Sequence, residues 1–297
     1  MTIETDDPII KMKFPDPTYP PSVGEGGSLV RFENVSFRYD TQQPFLLKDL
    51  TFDVVRGSKI ALVGRNGVGK STLIRLIAGE LEDVGETKTR NSWRLPELRV
   101  GHVTQYSVEE LEEFAHQTVL EYAEAKLSSG KASARVIAAA SGNVRQYLGA
   151  FGLGGKLALR LISKLSGGER MRLCFSTVLA DEPQLLILDE STNHVDLETL
   201  DSMAAALNLY QGAVLMVSHN QGFLSGFCRE LWVLEDGQLT INHDDTESFD
   251  EIFSQYRSHA LESSVSARST QRRVKSEMAK RASKQNVGAK KDTTLLS

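Results

Sequence analysis

The string Gly64-Arg65-Asn66-Gly67-Val68-Gly69-Lys70-Ser71-Thr72 has the spacing G-x-x-x-x-G-K-[ST], which suits wrapping backbone around a polyphosphate. Glycines let successive N–H groups curl toward phosphate oxygens, and a helix opening there adds the positive end of its dipole. Lys70 would reach the β and γ phosphates, and the Ser71 hydroxyl takes a Mg²⁺ position. A second string, Leu185-Leu186-Ile187-Leu188-Asp189-Glu190, is an apolar run delivering two carboxylates to its end. Asp189 suits a Mg²⁺ ligand, direct or through water, and Glu190 suits a group that orients and polarises an attacking water. A third, Lys164-Leu165-Ser166-Gly167-Gly168-Glu169-Arg170, places a serine and two glycines at a helix start, a second anion-binding N-terminus.

Each string needs an element to aim it. Strand character begins at Leu29, where Val30, Phe32, Val35, Phe37 and Tyr39 are set against Arg31, Glu33, Ser36 and Arg38. A second alternating run covers residues 50–55. A third, residues 60–63, is continuously apolar and stops at Gly64, as a buried strand entering a tight turn does. After the loop, Leu73, Leu76 and Ile77 share one face of a helix that stops near Gly79. The stretch from about 107 to 165 reads as helices. Met171, Cys174, Phe175, Val178 and Leu179 form a further helical stripe. A helix with Leu197, Leu200 and Leu207 pointing inward precedes an apolar strand at residues 213–217. This order predicts an α/β core with a mostly parallel sheet and a separate helical lobe.

Composition sets the limits. The chain has 297 residues, 40% hydrophobic and 25% charged, the profile of a globular protein. No stretch is long and apolar enough to cross a membrane, and the start reads as no signal peptide. Cys174 and Cys228 lack metal or redox spacing and read as small buried thiols. The net charge of -5 hides an asymmetry: residues 257–297 hold 10 Lys+Arg against 3 Asp+Glu. That tail has no aromatics, so contact with nucleic acid would be backbone electrostatics; a solvated tail is the other reading. Five of the eight prolines fall in the first 28 residues, which read as an extended linker.

The three strings in this order resemble the ATP-binding cassette (ABC) ATPases, whose signature is LSGGQ or LSGGE. The resemblance implies ATP and Mg²⁺ as ligands, and a P-loop cassette with an N-terminal antiparallel β-subdomain and an α-helical subdomain. It further implies that Tyr39 stacks on adenine, Gln105 contacts Mg²⁺ and water, and His219 meets the γ-phosphate. Asn193-His194-Val195-Asp196 would be the D-loop, and Ser166, Gly167 and Gly168 would act on the nucleotide of a second cassette. His102 and His116 are left as surface or core residues.

Within that superfamily, Ser191-Thr192-Asn193-His194-Val195-Asp196 and Ser218-His219-Asn220-Gln221-Gly222-Phe223-Leu224 look like the ABC-F subfamily, soluble twin-cassette ATPases associated with ribosomes. Phe14-Pro15-Asp16-Pro17 and Tyr147-Leu148-Gly149-Ala150-Phe151-Gly152-Leu153 resemble its eukaryotic members, the former their lead-in to a second cassette. Ser191 replaces the usual proline, and only one cassette is present. The implied organisation is a linker over 1–28, a cassette over 29–256 and a basic tail over 257–297. The implied function is ATP hydrolysis in the cytoplasm with a second cassette, acting on the ribosome and rRNA without membrane insertion. The alternatives are the nucleotide-binding subunit of a transporter and a non-hydrolysing, ATP-clamped interaction module.

Overall fold

The computed structural model describes residues 12–81, 91–128, 131–139, 142–190, 195–218, 220–243 and 249–258. The chain divides into a unit Met1–Phe249 and a unit Asp250–Ser297.

Alternation builds the first layer of the larger unit. Strand β1 (Ser28–Phe37) buries Val30 and Phe32 and then Val35 and Phe37, two pairs out of phase. A β-bulge restores the phase: Asn34 adopts φ 53, and the register with the next strand shifts between Phe32 and Val35. That strand, β2 (Leu47–Val55), begins before the predicted residue 50, because exposed Lys48 and Asp49 interrupt the alternation after buried Leu47. β3 (Lys59–Val63) follows as a fully buried strand, and its loop opens helix α1 (Lys70–Ala78). The short strand β4 (Ser92–Arg94) completes an antiparallel sheet of order β2-β1-β4.

The second layer is a six-stranded sheet. Its remaining strands are β5 (Val100–Thr104), β6 (Leu185–Asp189), β7 (Ala213–Val217), β8 (Glu230–Glu235) and β9 (Gln238–His243). The order is β5-β6-β7-β3-β8-β9, parallel except for the β8–β9 pair. Register places Thr104 beside Asp189 and Asp189 beside Val217, so these strands end together along one edge. Ligand sites of open parallel sheets form at such carboxyl ends. One buried cluster joins Phe32 and Phe52 of the first sheet, Leu73 and Ile77 of α1, and Ile187, Leu215 and Trp232 of the second. The Phe52 and Trp232 rings meet at 4.9 Å.

Between β5 and β6 lie α2 (Gln105–Glu109), α3 (Val119–Leu127), α4 (Lys131–Ala139), α5 (Val144–Gly149) and α6 (Gly167–Leu179), with 3-10 turns between them. The Tyr147 hydroxyl donates to the Ser176 carbonyl at 2.6 Å, tying α5 to α6. After β6, α7 (Leu197–Leu209) buries Leu200 and Leu207, whereas Leu197, expected inward, is 78% exposed. As the first residue after the cap Asp196, it precedes the turn that packs. A short helix, α8 (Gln221–Ser225), leads to β8.

The proline-rich lead-in is extended and docked from Met12 onward. Phe14 is 7% exposed, its ring stacked on Phe151 at 5.9 Å and Phe175 at 5.4 Å. The Lys13 amide donates to the Ala150 carbonyl at 2.9 Å. The Thr18 carbonyl accepts from Arg99 Nη2 at 2.9 Å and Gln184 Nε2 at 2.8 Å. In the smaller unit, residues 250–258 are helical, with the Phe253 and Tyr256 rings edge to face; residues 259–297 lie outside the described residues.

Candidate functional site

The site starts where β3 leaves the sheet. A Cβ on Gly64 would lie 2.5 Å from the Leu234 carbonyl oxygen, so only glycine lets the chain depart beside β8. Helix α1 then begins with Gly69 as its N-cap, and no side chain caps it. Helices α3, α6 and α7 are capped by Thr118, Ser166 and Asp196 respectively. The first-turn N–H groups of α1 therefore remain available to an anion.

These groups face a cavity of about 340 Å³ lined by Leu46, Asn66, Gly67, Gly69, Lys70, Ser71, Thr72, Asp189 and Glu190. Arg65 supplies a carbonyl to the loop, and Val68 packs against the core. Lys70 is 8% exposed, and its Nζ donates to the carbonyls of Gly64 at 2.8 Å and Arg65 at 3.1 Å. Burial lowers its pKa, and Glu190 and Asp189 oppose that shift. Burial raises the pKa of Asp189; His102 opposes this, Glu190 adds to it and Lys70 opposes it. Glu190 sits at φ 49, its amide donating to the Val217 carbonyl at 3.0 Å. A left-handed non-glycine residue costs about 1–3 kcal/mol, and such strain gathers at functional sites.

The structure ties other expected residues to this cavity to different degrees. Tyr39 is 54% exposed, with its hydroxyl 3.0 Å from Thr72 Oγ1 on the first turn of α1. Gln105 opens α2 directly after β5. Residues 191–194 and His219 lie outside the described residues. Ser166 caps α6, accepting from the Glu169 amide at 3.2 Å while Glu169 returns a bond to the Ser166 amide at 2.8 Å. Among the described residues, Ser166, Gly167 and Gly168 do not line the loop cavity. Leu46 does, unforeseen from sequence, because an apolar residue between two strands carries no ligand signal.

The residues fit a magnesium nucleotide. The uncapped α1 terminus and the Lys70 ammonium suit phosphates, and the Ser71 hydroxyl and Asp189 share their cavity. No cluster of three or more His, Cys, Asp or Glu able to hold a metal occurs among the described residues. Mg²⁺ is usually bound through one or two protein ligands plus substrate phosphates, a number that Ser71 and Asp189 can supply.

Residues 47–193 match the family model described as ABC transporter. Protein GCN20 of Saccharomyces cerevisiae is 34% identical over 263 residues, 88% of this chain and 31% of that protein. ATP-binding cassette sub-family F member 3 of Homo sapiens is 34% identical over 233 residues, 78% of this chain and 30% of that protein. The chain thus spans about a third of the length of the curated relatives it matches. A bacterial Atm1-family ABC exporter solved with ATP bound shares the fold, at TM-score 0.57 and 20% identity over 84% of this chain and 45% of the exporter. Among the described residues, no helix is long and apolar enough to cross a membrane. With phosphate loop, paired carboxylates and signature helix in order on a shared fold, the chain is an ABC ATP-binding cassette whose sequence belongs with the ABC-F family.

Proposed function

We propose that this chain binds and hydrolyses ATP as one half of a cassette pair that acts on the ribosome. The observation that carries this reading is the cavity where the uncapped α1 terminus, Lys70, Ser71, Asp189 and Glu190 converge while the Ser166–Gly168 helix end is not part of its lining. A complete site would then draw that helix end from a second cassette, and the relatives are about three times as long as this chain.

In this reading the N–H groups of residues 66–72 and the Lys70 ammonium hold the β and γ phosphates, and Tyr39 stacks on adenine. Ser71, Asp189 and Gln105 would hold Mg²⁺, which would supply positive charge to offset that of the phosphates. Glu190 orients the attacking water and draws its proton, giving ADP and phosphate, while His219 donates to the γ-phosphate. The cassette works in the cytoplasm, and the basic tail meets rRNA through its phosphates.

The test is Glu190→Gln, which keeps nucleotide binding and slows hydrolysis. With ATP, the variant should co-sediment with ribosomes more than wild type does. Flotation of wild type with membranes and a ribosome-free variant would sink the proposal in favour of a transporter subunit.

A further inference from the structure

Helices α6 and α7 are joined within this chain by a polar relay that runs from exposed Asp196 to buried Thr199 and Arg172. Asp196 caps α7: its Oδ1 accepts from the Thr199 amide at 2.8 Å, and its Oδ2 accepts from Thr199 Oγ1 at 3.1 Å. The same hydroxyl oxygen accepts from Arg172 Nη1 on α6 at 2.8 Å. Arg172 is 4% exposed, makes no salt bridge among the described residues, and its Nε has no hydrogen-bond partner among them. Taking a guanidinium out of water is unfavourable, so an apolar residue of similar length would serve packing alone better.

One turn earlier on the same face of α6, the backbone meets the same cap. A Cβ on Gly168 would lie 2.3 Å from Asp196 Oδ2 and 2.6 Å from Thr199 Oγ1. Residues 168 and 172 are one helical turn apart, so contact and hydrogen bond grip the cap together.

We infer that Arg172 is a positioning residue which, through Thr199, holds the Asp196 cap against Gly168, so that the Ser166–Gly168 helix end and the capped start of α7 move as one body. Its consequence for turnover rests on the ATPase reading above: Arg172 does not line the loop cavity, and the Ser166–Gly168 helix end that it steadies is assigned there to the composite site of a cassette pair. Losing the lock should therefore leave ATP binding at the loop cavity intact and slow the chemistry.

The test uses the 297-residue chain with Arg172→Met and, because a buried change of charge can prevent folding, the near-isosteric Thr199→Val. Amide hydrogen exchange is followed in peptides covering 166–170 and 196–200, alongside ATP turnover and binding of a fluorescent ATP analogue. Both variants should speed exchange in both segments together. They should also lower kcat about tenfold with ATP affinity unchanged within about twofold, as a displaced positioning group does. Thr199→Ser should restore both readouts. Faster exchange confined to one segment, failure of Thr199→Ser to rescue, or kcat unchanged in the variants would overturn the inference. If wild type binds no ATP, the ATPase reading fails; if it binds ATP without turnover in the absence of a second cassette, hydrogen exchange still decides the lock.

Discussion

Lys70 Nζ donates to the carbonyl of Gly64 at 2.8 Å, so the loop that begins at the glycine closes on the lysine six positions later. The ammonium is placed at the cavity wall before any ligand arrives, and phosphate oxygens can compete for its donors. Lys70→Met should keep the fold and weaken ATP binding ten- to hundredfold, the worth of about 1.5–3 kcal/mol for a hydrogen bond to a charged group. Titration with a fluorescent ATP analogue reads this, and affinity within twofold of wild type would refute the placement.

Asp189 makes the opposite exchange, between stability and binding. Burial raises its pKa, so the ionised form is penalised in the folded chain. The folded state then holds the proton more tightly than the unfolded one, and this group's contribution to stability falls as pH rises above the usual carboxylate value. Ligand-free Asp189→Asn should therefore melt higher than wild type at neutral pH, with the gap closing toward about pH 4. It should also lose the stabilisation that magnesium and ATP confer on wild type. Thermal melts across pH with and without MgATP settle both points.

Tyr39 separates ring from hydroxyl. Its hydroxyl meets Thr72 Oγ1 at 3.0 Å while about half of the side chain stays exposed. If the ring stacks on a base, Tyr39→Phe keeps ATP affinity within a few fold and Tyr39→Ala loses about 1–3 kcal/mol, the worth of an aromatic–base stack. Equal losses in the two variants would assign the role to the hydroxyl.

Phe14 tests the docked lead-in. Its ring stacks on those of Phe151 and Phe175 and is well buried. Phe14→Ala should cost about 3 kcal/mol, a fall in unfolding temperature of roughly 6–12 °C. A change under a degree would mean that the segment rides loosely on the surface.

Much of the architecture could be read from residue order. Apolar runs ending in Gly64 and in Asp189-Glu190 mark two strands of the parallel sheet, because short-range periodicity and a glycine stop report on local backbone. The bulge at Asn34 was less legible, since a slipped phase looks like continued alternation until pairing partners are known. Leu197 misled because it stands outside the turn whose period it shares.

Local spacing along the chain is enough to specify the chemistry on offer: a phosphate loop, two carboxylates at the end of one strand and a serine–glycine helix start. Their placement comes from the packed fold. Parallel register brings Thr104, Asp189 and Val217 level across the sheet, and lateral hydrogen bonding between strands distant in the chain sets that alignment. Packing likewise chose Phe14, from a segment that reads as linker, to fill a space beside Phe151 and Phe175. Packing also set Arg172 against Thr199, 27 residues ahead, and Gly168 against the cap that Thr199 holds. Such contacts depend on which surfaces meet once the core closes, and no local pattern encodes the meeting.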